Sequence, residues 1–238
     1  MRVLLIKTGT TVPQVAEQRG DFESWFAAGM GLPRENFEVT EVFRGAALPN
    51  AETFSACVIT GSAAMATDNE AWSVQTERWL AKAVALGKPI LGVCYGHQLL
   101  ARALGGRVST NPAGRQIGTV DVTLTELGRV DPLFRQLPAT LHVPVSHSQV
   151  VTGLPKHARV LATTQADSNH AFALGSHVWG IQFHPEFDAE IIRGYIAARR
   201  DAIMAEGLDA DAATVAARDT NDGKQVLRAF TKQIEANL

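Results

Sequence analysis

Cys94 stands in the run Gly92-Val93-Cys94-Tyr95-Gly96, directly after the apolar stretch that opens at Pro89 and directly before a helical pattern. Glycines two residues to either side of a nucleophile, between a strand and a helix, are the arrangement of a nucleophile elbow, here with cysteine in place of serine. The turn is so tight that the central residue takes strained backbone angles, and its neighbours at minus two and plus two must be small to avoid collision. The start of a helix also offers unpaired N–H groups and a favourable dipole, which stabilise negative charge on a thiolate or on a substrate oxyanion. The alternative is an ordinary buried cysteine closing a core strand, a common environment for a free thiol. Cys57 lies inside the apolar run Cys57-Val58-Ile59, has none of these features and reads as structural.

A cysteine nucleophile works with a base that a third group orients. Of the seven histidines, His157 follows Pro155-Lys156 in a polar turn, His170 and His177 flank short strands and read as surface residues, and His142 begins a strand. His97 points along the helical turn after Cys94 rather than at the thiol. His184 differs: Val178 to Phe183 reads as a buried strand, and His184-Pro185-Glu186 follows its end. Residues two apart in extended chain share a side, so His184 and Glu186 can face one direction, and Pro185 holds the segment extended. A carboxylate beside an imidazole sets its tautomer and raises its basicity. A surface turn with an incidental salt link is the alternative. In open α/β sheets functional groups gather at the carboxyl ends of strands, where Cys94 also falls.

These groups need a scaffold. Val3 to Ile6, Phe37 to Phe43, Cys57 to Ile59 and Pro89 to Val93 read as strands. Helical patterns between and after them carry Trp72, Trp79, Leu80, Ala83 and Val84, then Leu99, Leu100, Ala103 and Leu104. That alternation predicts an α/β fold, an open, mostly parallel twisted sheet with helices on both faces in three αβα layers. After about residue 107, Gly118 to Leu124, Leu141 to Val145, Arg159 to Thr163, Ala171 to Leu174 and Val178 to Phe183 predict short antiparallel strands. Asp188 is placed to cap a helix striped by Ile191, Ile192, Tyr195, Ile196 and Ile203. A turn at Asp219 to Gly223 precedes a last helix running to about Asn237. The expectation is one domain over 1–238, with 208–238 as a C-terminal helical extension.

Lys plus Arg total 22 against 24 Asp plus Glu, a net charge of −2. A general electrostatic grip on nucleic acid or an acidic membrane surface is not expected from that balance. Two cysteines without a CxxC pair provide neither a disulfide framework nor a zinc site and fit a reducing cytoplasm. The apolar run Val3 to Ile6 is too short for a signal peptide, and no stretch approaches the roughly 20 apolar residues of a membrane span. A cytoplasmic enzyme is the expectation.

Taken together, the residues resemble the class I glutamine amidotransferase family. GVCYGHQLLA at 92–101 is similar to its nucleophile motif, QFHPE at 182–186 to its His–Glu motif, and Ile59-Thr60-Gly61-Ser62 stands where a glycine-containing loop is expected. Within the family, the resemblance is to stand-alone members similar to the glutaminase domain of guanosine-monophosphate synthase. It implies a flavodoxin-like fold, a Cys94–His184–Glu186 triad, and an oxyanion hole made by the Gly61 and Tyr95 N–H groups. It further implies substrate contacts from Gln98 and from Ser146, His147, Ser148 and Gln149, with no metal and no cofactor. The implied reaction is hydrolysis of the side-chain amide of glutamine through a γ-glutamyl thioester, giving glutamate and ammonia.

Two departures stand out. The loop has Thr60-Gly61-Ser62-Ala63 where Gly-Gly-Pro is usual, and Gln149 replaces a common aspartate. A neutral amide offers a substrate ammonium no charge-assisted bond. If Gln149 faces the α-amino group, free glutamine is bound weakly or is not the substrate. No phosphate-cradling loop or synthetase segment is apparent, so ammonia is expected to pass to an unidentified acceptor or synthetase partner. Two other readings stay open: a γ-glutamyl hydrolase or peptidase using the same triad, and a non-catalytic regulatory subunit.

Overall fold

Every residue of Val3 to Lys7 is buried, as a strand flanked by strands and covered by helices on both faces requires. It is the first of eleven strands: β1 (Val3–Lys7), β2 (Phe37–Glu41), β3 (Ala56–Ile59), β4 (Ile90–Val93), β5 (Arg107–Thr110), β6 (Gln116–Leu124), β7 (Thr140–His147), β8 (Gln149–Gly153), β9 (Arg159–Thr163), β10 (Ala171–Leu174) and β11 (Val178–Ile181). The helices are α1 (Pro13–Arg19), α2 (Phe22–Met30), α3 (Ala71–Ala85), α4 (Tyr95–Ala103), α5 (Glu126–Val130), α6 (Ala189–Ala198), α7 (Arg200–Ala205), α8 (Ala210–Ala216) and α9 (Asp222–Glu235). This computed structural model describes all 238 residues.

Nine strands form one sheet in the order β2-β1-β3-β4-β11-β10-β9-β6-β7, and β5 and β8 form a separate pair. From β2 to β11 all neighbours are parallel, and from β11 onward all are antiparallel. β11 joins the two regimes, parallel to β4 on one side and antiparallel to β10 on the other. Consequently the loops after β4 and β11 leave the same edge of the sheet, which is how Cys94 and His184 come together.

Alternate side chains of the parallel strands enter different cores. Val3, Leu5, Val58 and Leu91 join the larger core with Phe22 and Phe26 of α2, Ile192 of α6 and Phe230 of α9. Leu4, Ile6, Cys57 and Ile90 join the smaller core with Leu80 of α3 and Leu99 of α4. These are the three expected αβα layers. The tail is part of this packing: Val226, Leu227, Phe230 and Ile234 of α9 are fully buried. No helix is long and apolar enough to cross a membrane.

The structure corrects several local expectations. The strand expected over Phe37 to Phe43 ends at Glu41, where a 3-10 turn over Val42–Arg44 carries Val42 into the smaller core. The helix capped by Asp188, whose carboxylate accepts from the Ile191 N–H at 2.9 Å, stops at Ala198. Arg199 leaves helical geometry at φ −115°, ψ 13°, so Ile203 belongs to α7. The segment from Ser146 to Val151 is the end of β7, a one-residue bend at Ser148, and the start of β8, which leaves the large sheet to pair with β5. His170 is fully buried rather than superficial, because Asp167 three residues earlier lies 3.1 Å from its Nδ1 and supplies a partner inside the core.

Candidate active site

Cys94 takes φ 53°, ψ −104°, one of three non-glycine residues at positive φ. Such strain persists only where the surroundings enforce it. Its N–H donates to Ile181 O at 2.9 Å, and the following Gly96 N–H donates to Thr60 O at 3.1 Å, locking the elbow to the neighbouring strand ends. A β-carbon on Gly96 would lie 2.5 Å from Ile59 O, and one on Gly92 would collide with the Gly96 carbonyl, so close backbone packing requires both glycines.

Cys94 and the His184 imidazole converge on one point, since a β-carbon on Gly61 would lie 3.7 Å from both Cys94 Cβ and His184 Nε2, and the other ring nitrogen, Nδ1, lies 2.8 Å from Glu186 Oε1. His184 and Glu186 are both buried. The His184 N–H donates to Pro144 O at 2.8 Å, and Phe187 stacks on the imidazole at 4.0 Å with an interplanar angle of 11°, so both the backbone and the ring are held. Burial alone would lower the His184 pKa. The charges and hydrogen bonds of Glu186 and Cys94 outweigh it and raise the pKa from 6.5 to about 10, which favours the imidazolium. Burial raises the pKa of the Cys57 thiol, which keeps it protonated and away from reactivity.

The turn after β3 forms the opposite wall. Thr8 Oγ1 lies 2.9 Å from both the Thr60 and Gly61 carbonyl oxygens, and the Thr8 N–H donates to Thr60 Oγ1 at 3.0 Å. This turn sets Gly61 against the site, where a β-carbon would lie 2.8 Å from His184 Cε1 and 3.7 Å from Cys94 Cβ. The Gly61 and Tyr95 N–H groups make no intramolecular hydrogen bond. They remain available for an oxyanion, the Tyr95 group at the first residue of α4.

Gln98, Ser146, His147, Ser148 and Gln149 line the cleft that holds Cys94. Ser146 O is 3.8 Å from Cys94 Sγ. Gln98 Nε2 donates to Gln149 O at 2.8 Å and to Gln182 Oε1 at 3.1 Å, tying α4 to the start of β8. The Gln149 amide is engaged at both ends, Oε1 accepting from Ala66 N at 2.8 Å and Nε2 donating to Thr67 Oγ1 at 2.7 Å. It therefore braces the 65–67 segment. His147 is buried, its pKa lowered to about 3 by desolvation, so it is neutral in the cleft. No group of histidine, cysteine, aspartate and glutamate side chains is arranged to hold a metal.

Arg115 and Arg199 also line the cleft and were not singled out from the sequence. Neither lies in a motif. The one local signal is the spacing of Arg199, four residues after Tyr195, which places its guanidinium 4.7 Å over that ring.

Several known proteins are similar to this chain. A glutamine-hydrolysing GMP synthase from Aeropyrum pernix is 39% identical over 115 residues, 48% of this chain but 22% of that protein. Gamma-glutamyl peptidase 5 of Arabidopsis thaliana is 29% identical over 183 residues, 75% of this chain and 72% of the peptidase. A glutamine amidotransferase from Thermotoga maritima shares the fold, with a TM-score of 0.76 at 22% identity over 98% of this chain and 97% of that one. The family model for glutamine amidotransferase class-I matches residues 39–198. With that match over most of its length, the chain belongs to the class I glutamine amidotransferase family.

Proposed function

We propose that this chain hydrolyses the side-chain amide of glutamine, with Cys94 as nucleophile, His184 as general base and acid, and Glu186 as the group that orients His184. The observation that carries the reading is a strained cysteine set beside an imidazole whose far nitrogen meets a buried carboxylate 2.8 Å away. Cys94 Sγ attacks the amide carbon, and the Gly61 and Tyr95 N–H groups receive the developing oxyanion. The C–N bond breaks as His184 passes its proton to nitrogen, and ammonia leaves. Water then adds to the γ-glutamyl thioester as His184 takes its proton. The C–S bond breaks, glutamate leaves, and Cys94 and the His184 imidazolium return to their starting state.

Gln98 and the Ser146–Gln149 segment hold the amino-acid end of the substrate. Residues 1–238 act as one cytoplasmic amidotransferase domain with 208–238 as its helical extension. The ammonia passes to an acceptor outside it, supplied by a synthetase partner. A second reading is hydrolysis of other γ-glutamyl compounds by the same steps. It is favoured by Gln149, whose amide is fully engaged and carries no charge for a substrate ammonium, and by the larger share of the Arabidopsis peptidase that this chain matches.

One assay separates the two. Purified protein is given glutamine or a panel of γ-glutamyl amides, and ammonia and amine release are measured for the native chain and for Cys94→Ala. Ammonia release from glutamine that disappears in Cys94→Ala supports the first reading. Preferential release of larger amines supports the second. Undiminished release by Cys94→Ala overturns both.

A further inference from the structure

The cleft around Cys94 presents positive charge and no negative charge. Arg115 and Arg199 line it, and no aspartate, glutamate or lysine does. A glutamyl substrate brings an α-carboxylate and an α-ammonium to such a cleft. Its side chains can meet the carboxylate with a charge-assisted bond and have no ionised group for the ammonium.

Arg115 stands beside the segment that holds this end of the substrate. It immediately precedes β6, whose register pairs Gln116 with His147 and Ile117 with Ser146. One residue further along that ladder, Arg115 falls against Ser148. The side chain is mostly covered, 18% exposed, and a carboxylate from outside the sheet fixes its direction. Glu206, which follows α7, accepts from Arg115 Nε at 2.9 Å and from Nη2 at 2.8 Å. That fork uses one edge of the guanidinium. Nη1 makes no hydrogen bond and is not closed off from solvent, so the edge formed by Nη1 and the second Nη2 hydrogen is free. Two parallel N–H groups on that edge match a carboxylate. Arg199 shares the cleft but has no carboxylate to orient it, and its guanidinium lies on the Tyr195 ring at 4.7 Å.

Resting on the Cys94–His184 reading above, we infer that Arg115, aimed by Glu206, binds the α-carboxylate of the glutamyl substrate and makes the cleft specific for an amino-acid end. Glu206 is a positioning residue in this arrangement. It lies past residue 198, where the family match ends, so the C-terminal part of the chain helps to set specificity. A guanidinium already held in place loses little freedom when the substrate arrives, which favours binding over chemistry as the step that depends on it.

The test removes one charge of glutamine at a time. The substrates are glutamine, 4-aminobutanamide, which lacks the α-carboxylate, and 4-carbamoylbutanoate, which lacks the α-amine. Each is also supplied as its N-methylamide, so the acid end is read whether ammonia or a larger amine is the better leaving group. The native chain should lose about ten- to a hundredfold in kcat/KM on 4-aminobutanamide, the range of a hydrogen bond to a charged group, and less on 4-carbamoylbutanoate. Arg115→Gln should raise KM for glutamine by a similar factor with kcat within threefold, and change kcat/KM for 4-aminobutanamide by less than threefold. Arg115→Lys should recover part of the loss, and Glu206→Gln should give a smaller rise in KM at unchanged kcat.

If Arg115→Gln does not fold, the three substrates on the native chain decide alone. The inference is overturned if the native chain uses 4-aminobutanamide as well as glutamine, or loses more on 4-carbamoylbutanoate. Equal losses on both substrates in folded Arg115→Gln, or a KM effect confined to Arg199→Gln, also overturn it. Each of these results leaves the thiol mechanism standing. No turnover of any glutamyl amide by the native chain overturns the mechanism and the inference with it.

Discussion

Gly61 faces the His184 ring so closely that a β-carbon there would sit 2.8 Å from Cε1. Neither neighbour can retreat, since Thr8 holds the Gly61 turn and Phe187 backs the imidazole. Gly61→Ala should therefore move the imidazole or the Gly61 N–H, and misplacement by about 1 Å costs roughly a hundredfold in rate. We expect kcat/KM to fall by about that factor while the thermal melt shows a folded protein. Activity within threefold of the native chain would remove Gly61 from the site.

Glu186→Gln keeps the shape of the pair and removes its charge. Burial then acts on His184 with less opposition, and its pKa falls from about 10 toward or below 6.5. The alkaline limb of the kcat/KM profile, near pH 10 in the native chain, should move down by more than about one pH unit. The raised pKa also stabilises the native chain: the contribution is complete below pH 6.5 and disappears as pH rises through about 10. Glu186→Gln should accordingly lose less thermal stability than the native chain between neutral and strongly alkaline pH. An unmoved alkaline limb would sever Glu186 from the chemistry.

The parts of the site that were legible in the sequence are those whose function needs a local backbone feature. An elbow needs small residues around Cys94, and a rigid His–Glu pair needs an extended segment such as His184-Pro185-Glu186, so both left a pattern in consecutive residues. Arg115 and Arg199 reach the cleft through tertiary placement alone and left none. The central strands were readable as continuous apolar runs, whereas β5 and β8 pair only with each other and carry mixed side chains. α2 was overlooked although its signals are present: Asp21 accepts from the Phe22 N–H at 2.8 Å, and Gly31 closes the helix at φ 68°.

Gln149→Asp tests whether position 149 meets substrate or braces the cleft. The shorter side chain cannot reach both Ala66 N and Thr67 Oγ1, and it adds a charge beside Arg115 and Arg199 in one cleft. We expect no lowering of KM for glutamine and a loss of about 1–3 kcal/mol of stability, the cost of leaving a buried partner unsatisfied. An improved KM at unchanged stability would show that the residue contacts the substrate ammonium.

Two buried histidines make the fold sensitive to acid. Burial lowers His97 to about 4 and His147 to about 3, so both stay neutral in the folded chain. The unfolded chain takes up those protons from about pH 6.5 downward, and stability falls between there and pH 4 by about 1.4 kcal/mol per pH unit for each histidine. Urea titrations across that range should show the slope, and His147→Gln should remove about half of it. A flat profile would mean that these side chains are not held neutral.

The central claim is that the Cys94 sulfur becomes covalently bound to a glutamyl group. Acid-quenched protein mixed with glutamine or γ-glutamylglycine and weighed by mass spectrometry should carry one glutamyl adduct, mapped to the peptide containing Cys94. The adduct should be absent from Cys94→Ala and should accumulate in His184→Asn, where the water step is slowed. Turnover in the native chain without any adduct, or an adduct that persists in Cys94→Ala, would contradict the account.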